Sequence, residues 1–364
     1  MTSGPVLKSA LRLLLCAVLL IGVFHSIFER EASSRAQVPA QAIPPTTGWH
    51  RIKSTWRTGG QQFFHVVQSM DITILLLSLF LMGVTIQMGA VRWNLVLRSQ
   101  GITLPFRRVF EISLVAQFFN SFLLGASGGD VIKALFAARE SHHHKPEAVT
   151  TVFLDRSIGL LSMLAFSVLM IPFNWSLITN SAPLTAACWL AISAFLAGLG
   201  FFYLTLSRSR LASAISLWAK ARNSGPANML SRILTACQGC YSNPGLLLKA
   251  VIISVLINSL CVLQFWLIGH AMDLRLPFMA LSLIVPMVVV FAALPITPSG
   301  LGLRENLFVS LLSIPSIGAP MAKALTLSLV AYTTTLVWSL VGGLVYVAFK
   351  DSHRLQELAH ADKA

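Results

Sequence analysis

The stretch FLLGASGGDVIKALFAAR, residues 122–139, breaks an apolar run with Gly125, Gly128 and Gly129 and sets Asp130 and Lys133 beside them. The chain is 55% hydrophobic and only 11% charged. A charge at membrane depth costs at least about 2.5–3.5 kcal/mol on insertion scales, so these two require a reason. Arg92, Arg98, Arg107 and Arg108 precede the stretch, and Arg139 and Lys145 follow it. Cytoplasmic loops are the ones enriched in Lys and Arg, so both ends of 106–139 read as cytoplasmic. An apolar segment that enters and leaves on one side turns back within the membrane, and residues 125–129 are the expected turn.

The rest of the chain extends this reading. Mean hydropathy is +0.74, and apolar runs of about 18 residues or more recur, which predicts an all-α polytopic membrane protein. The runs are continuous rather than alternating, which argues against a β-barrel. The net charge of +14 fits cytoplasmic loops and anionic lipid head groups better than nucleic acid, since no soluble domain of useful size is left over. Residues 1–28 are expected to form a first span rather than a cleaved signal peptide, because the small-residue pattern PAQA at 39–42 lies far beyond the hydrophobic region. Residues 29–71 read as an exterior loop, with GGQQFFHVVQSM as a short amphipathic helix on the membrane. Clear spans are expected at about 72–97, 149–171, 185–206, 246–269 and 324–349.

Charge fixes their direction. The 207–245 loop carries five basic residues and no acid, whereas 172–183 carries no charge. The former is placed in the cytoplasm and the latter outside. Inside the basic loop, RLASAISLWAKAR reads as an amphipathic helix on the inner leaflet. The tail at 350–364 is expected inside, as is the N-terminus, which implies a bacterial cytoplasmic membrane. With this parity, both ends of 279–318 face outside. That stretch is interrupted by LPITPSGLGLREN, residues 294–306. It is a second expected re-entrant pair, entered from the opposite face. Interrupted helices in membranes occur where the freed backbone is buried in protein or lines a cavity. One per half, in opposite orientation, points to inverted repeats and a transporter-like domain over 72–349.

Few residues are available for chemistry. Among 13 acids, Asp130, Asp155 and Glu305 lie beside or inside apolar segments. Each has a base close in sequence: Lys133, Arg156 and Arg304. Asp130 and Lys133 fall on one helix face, on a helix that starts at Gly128 and Gly129, with Ser127 able to cap it. A half-helix N-terminus presents free N–H groups and positive potential to an anion. The second break offers a similar end at Ser299, Gly300 and Gly302, followed by Arg304. Buried pairs that only fix helix register, and glycines that only permit close packing, are alternative readings of the same residues. Asn120 reads equally as a ligand or an interhelical hydrogen bonder. Glu111, beside Arg107 and Arg108, reads as an interfacial charge. No cofactor or metal is expected: His142, His143 and His144 read as a solvated run, and Cys237 and Cys240 have no second pair or nearby His.

The blocks RWNLVL (92–97), FFNSFLLGASGGDVIKA (118–134), FLDRSIGLL (153–161) and LPITPSGLGLRE (294–305) resemble, in this order, the lysylphosphatidylglycerol synthase transmembrane region, or flippase-like, family. The resemblance implies a membrane domain that moves or handles a charged lipid. Synthase members append a soluble aminoacyl-transferase domain. Only about 15 residues follow the last span here, so the expectation is a stand-alone membrane domain without that activity. On this reading the chain is a flippase-like transporter for a charged phospholipid or a polyprenyl-phosphate-linked lipid. Lys133 and Arg304 would hold the phosphate, Asp130 and Glu305 would position them or carry a proton, and Asp155 and Arg156 would brace the cavity. The motif that cradles nucleotide phosphates is not found, so an ion or lipid gradient would supply the energy. The rivals are an integral-membrane transferase acting on a lipid carrier and an accessory subunit of a lipid-modifying enzyme.

Overall fold

The computed structural model of the chain describes residues 57, 68, 70–122, 128–141, 145–206, 244–294, 300 and 302–361. The expected first span, the 207–243 loop with its amphipathic helix and CQGC, and nearly all of the exterior loop lie outside the described residues. Among those described, every regular element is helical. Helix α1 spans Ile72–Ser99, α2 Phe106–Phe122, α3 Gly128–Glu140 and α4 Lys145–Met170. A 3-10 turn, Pro172–Asn174, leads into the short α5, Trp175–Thr179, and then α6, Ala182–Leu206. After the basic loop come α7 Pro244–Ala271, α8 Phe278–Ala292, α9 Leu303–Leu312 and α10 Met321–Ala361. Five of them, α1, α4, α6, α7 and the 321–348 part of α10, are long and apolar enough to cross a membrane. They coincide with the five expected spans to within a few residues.

Local chemistry sets the ends. Asp71 accepts the Thr73 N–H at 2.8 Å and caps α1. At the other end Gly101 takes a left-handed φ of 72°. Its N–H donates to the Arg98 carbonyl and that of Ile102 to the Leu97 carbonyl. This is a Schellman closure, with Leu97 and Ile102 both buried in one core.

The remaining helices are too short to cross. At 1.5 Å per residue, α2, α3, α8 and α9 reach roughly 15–25 Å, against a hydrocarbon core of about 30 Å. They form two hairpins, α2 on α3 and α8 on α9. In the first, Arg108 near the start of α2 pairs with Glu140 at the end of α3 at 2.5 Å, so its open end closes on itself beside the start of α4. In the second, Asn174, just past the end of α4, donates to the Met279 carbonyl at the start of α8 at 3.1 Å. The two hairpins are thus anchored at opposite ends of α4.

Each hairpin has its own core. Trp93, Leu97, Val109, Ile112, Ala137 and Val152 pack the first. The larger second core centres on α8, which is apolar all round and buried along most of its length, as a helix enclosed by others must be. Large apolar side chains face outward elsewhere, among them Phe80 on α1, Trp189 on α6 and Leu344 on α10. That is the surface expected of spans solvated by lipid tails.

Candidate functional site

The three membrane acids all lie at or near hairpin tips, and the structure partners them differently from their sequence order. Asp155, on α4, is held by two cations from other helices. Arg92 Nε on α1 donates to Oδ1 at 2.8 Å, and Lys133 Nζ on α3 donates to Oδ2 at 3.0 Å. Arg92 also reaches Ser254 on α7 at 3.1 Å, and its guanidinium lies against Gly159, where a Cβ would sit 3.0 Å from Nη2. Lys133 further stacks over the Trp93 ring at 4.2 Å, and Trp93 donates its indole N–H to Thr151 at 3.2 Å. One carboxylate therefore ties α1, α3, α4 and α7 together.

The expected neighbour pairs, Asp130 with Lys133 and Asp155 with Arg156, are corrected by this arrangement. Asp130 and Lys133 do share the face of α3 that looks at α4, but Lys133 takes Asp155 and Asp130 takes Arg156, at 3.5 Å. Residues i and i+1 on a helix do not face one another, so Arg156 points away from Asp155. Its Nη2 instead donates to the Ala293 carbonyl at the C-terminus of α8, at 3.4 Å. Arg156 thereby touches the start of α3 and the end of α8, the tips of both hairpins. It stands midway along α4, whose two ends anchor their bases.

The glycines of the first break serve close approach. Helix α3 starts at Gly128, which puts Asp130 at its third position as expected. A Cβ on Gly129 would lie 1.9 Å from the Ala116 carbonyl of α2. The Gly129 N–H donates to Asn120 Oδ1 at 2.8 Å, so Asn120 acts across helices on one of the free donors of α3. Ser127 and Ser299 lie outside the described residues.

At the second tip the sequence neighbours do pair. Gly300 and Gly302 adopt left-handed φ values of 70° and 89°, which only glycine takes without strain. Glu305 is fully buried. It reaches back to accept the Gly302 N–H at 2.6 Å and pairs with Arg304. Arg304 also donates to Ser328 at 3.3 Å and lies 4.2 Å over the Tyr332 ring. Both expected phosphate holders, Lys133 and Arg304, are therefore enclosed by protein groups.

The accessibility of the cations differs accordingly. The side chains of Arg92, Lys133 and Arg304 retain 10–12% exposure, whereas Arg156 retains 30%. Arg156 is held only by contacts of 3.4 and 3.5 Å, long for charged hydrogen bonds. Around the first tip, three cations (Arg92, Lys133, Arg156) face two carboxylates (Asp130, Asp155), leaving one surplus positive charge. Among the described residues no group of three His, Cys, Asp or Glu side chains converges. Chemically, the arrangement offers one loosely held, bidentate donor in front of a rigid ion-pair scaffold, a seat for an anion.

Arg92 escaped the sequence reading, where it served only as a topology marker. Its signal was its depth: it lies inside the expected 72–97 span, more than a helical turn before Arg98.

Comparison with known proteins fits this architecture. The sequence profile described as the Lysylphosphatidylglycerol synthase TM region matches residues 52–343. A UPF0104 membrane protein of Pyrococcus horikoshii is 27% identical over 124 residues, which cover 34% of this chain and 36% of that protein. The match thus spans about a third of the relative's length.

Proposed function

We propose that this chain, which belongs to the lysylphosphatidylglycerol synthase transmembrane region family, translocates a charged lipid between leaflets. The substrate class is a phospholipid with a net negative head group or a polyprenyl-phosphate-linked lipid. The observation that carries the reading is Arg156: one accessible guanidinium at the meeting point of two broken-helix tips whose bases sit at opposite ends of α4. Hairpins too short to cross, anchored at opposite ends and joined at mid-height, have the arrangement of re-entrant inverted repeats around a midplane site. A phosphate entering from either face would meet the same residue.

In this mechanism Arg156 exchanges its two long contacts for two phosphate oxygens, the bidentate geometry that guanidinium favours. Asp130 and the Ala293 carbonyl hold it in the absence of lipid and take it back on release. Lys133 and Arg92 stay on Asp155, and their surplus charge stabilises the anion at a distance of one helix. Arg304 and Glu305 brace the second tip. The role of phosphate contact thus moves from Lys133 and Arg304, favoured by sequence alone, to Arg156.

Two experiments test the reading. In vesicles, the purified protein is expected to speed leaflet exchange of a labelled anionic phospholipid. Arg156→Gln should slow it at least tenfold, Arg156→Lys should retain part of the rate, and the unfolding temperature should hardly change because Arg156 is half-exposed and weakly paired. Failure to accelerate any anionic or prenyl-phosphate lipid overturns the proposal. For topology, single cysteines at positions 142 and 275 are expected to label from opposite sides of the membrane. Labelling of both from one side removes the inverted arrangement.

A further inference from the structure

Helix α3 has a second face. Asp130, Lys133 and Ala137 look inward, while Ile132, Leu135, Phe136 and Arg139 follow the i, i+3, i+4, i+7 spacing of a single stripe on another side. With Phe119 of α2 and Tyr346 of α10 this stripe lines a cleft of about 180 Å³. Its floor is fixed, since the Phe119 and Tyr346 rings meet edge to face at 5.1 Å. Its outer edge is open, since Leu135 is 56% exposed. Every lining group but one is apolar or aromatic, and the exception, Arg139, stands at the C-terminal end of α3.

The charge at that end is unbalanced. Arg107 pairs with Glu111 at 2.9 Å, and Arg108 pairs with Glu111 at 3.4 Å and Glu140 at 2.5 Å. Two arginines and two glutamates neutralise one another, and Arg139 is a further exposed cation with no ion pair among the described residues. An apolar slot with one uncompensated cation at its mouth complements one kind of molecule: an amphiphile with an acyl chain and an anionic head.

We propose that this cleft is a lipid docking site, separate from the Arg156 tip, that holds one acyl chain of an anionic phospholipid with its phosphate on Arg139. The slot is too narrow for a head group or for two chains, so it selects by chain and by charge together. It lies on the same helix as the transport seat, roughly 14 Å along the axis from Asp130. A lipid docked there is placed beside the hairpin it would next enter. The choice of lipid as occupant rests on the lipid-handling reading above; the cleft, its lining and its charge do not.

The test uses the full chain in phosphatidylcholine vesicles doped with a phospholipid that carries a photoactivatable diazirine in one acyl chain. The head group is phosphatidylglycerol in one arm and phosphatidylcholine in the other. Mapping of labelled peptides is expected to show the phosphatidylglycerol probe on residues 132–136 several-fold above the phosphatidylcholine probe. Arg139→Glu should reduce it to the phosphatidylcholine level, and Arg139→Lys should keep it. Equal labelling by the two probes, or a preference that survives Arg139→Glu, overturns the site. The readout is occupancy rather than exchange. Selective labelling in a protein that exchanges no lipid would therefore sink the transport reading and leave the docking site standing.

Discussion

Asp155→Ala is expected to cost about 3–5 kcal/mol of stability, the penalty typical of removing one partner from a buried ion pair, and to leave little monodisperse protein in detergent. The asymmetry of the cluster explains why this acid matters more than either of its bases. Asp155 is buried and receives both Arg92 and Lys133. Its loss strands two cations in a medium that cannot solvate them. Lys133→Met, by contrast, leaves Arg92 and Asp155 as a balanced pair and removes a charge that needed burial. Its cost is expected to stay near 1–2 kcal/mol, the range of one hydrogen bond to a charged group. Arg92→Met should fall between the two, because the Ser254 contact between α1 and α7 is lost as well. Adding Lys133→Met to Asp155→Ala should recover part of the lost stability, since one stranded cation goes with it. Thermal unfolding in detergent across the four variants checks the order. A larger loss from Lys133→Met than from Asp155→Ala would contradict the pairing described.

The spans, both breaks and the third-position Asp130 were legible because they depend on contiguous residues: hydrophobic length, glycine clusters and the caps next to them. Pairing across helices was not. Asp155 and Arg156 are adjacent in sequence, but about 100° apart around the helix, so proximity along the chain misassigned them. Glu305 and Arg304 are adjacent too, yet they pair, because the carboxylate bends back to the Gly302 N–H and brings its other oxygen to Arg304. The contact of Arg156 with the Ala293 carbonyl spans 137 positions, and no local pattern contains it. Nor does the sequence say that the Gly129 N–H is engaged by Asn120. The choice there between ligand and interhelical hydrogen bond depends on how α2 lies against α3.

The same packing yields the second large effect, at glycines that flank α2 on two sides. A Cβ on Gly129 of α3 would stand 1.9 Å from the Ala116 carbonyl, and one on Gly342 of α10 would stand 2.0 Å from the Leu114 carbonyl. Ordinary contact begins beyond 3.4 Å, so the helix must retreat by more than an ångström in either variant. The obstacle is backbone, which has no rotamer to change, and the cost should reach or exceed the upper end of the ~1–3 kcal/mol typical of overpacking. Small residues that let helix backbones touch are the main source of association where lipid removes the hydrophobic drive. Gly89 and Gly200 supply the control, since nothing lies within 4 Å of a Cβ at either. There alanine should gain up to about 1 kcal/mol of helix propensity. Gly129→Val and Gly342→Val should thus lower the unfolding temperature steeply while Gly89→Ala and Gly200→Ala hold or raise it. The two damaging variants should also differ from each other. Retreat of α3 withdraws Lys133 from Asp155 and Asp130 from Arg156, so any Gly129→Val protein that folds should lose leaflet exchange. Gly342→Val presses on α2 from the α10 side and leaves the α3–α4 contacts in place, so its folded fraction should keep more of the exchange rate. If both variants lose exchange only in proportion to the protein that unfolds, the glycines pack helices and the tip of α3 has no part in moving lipid.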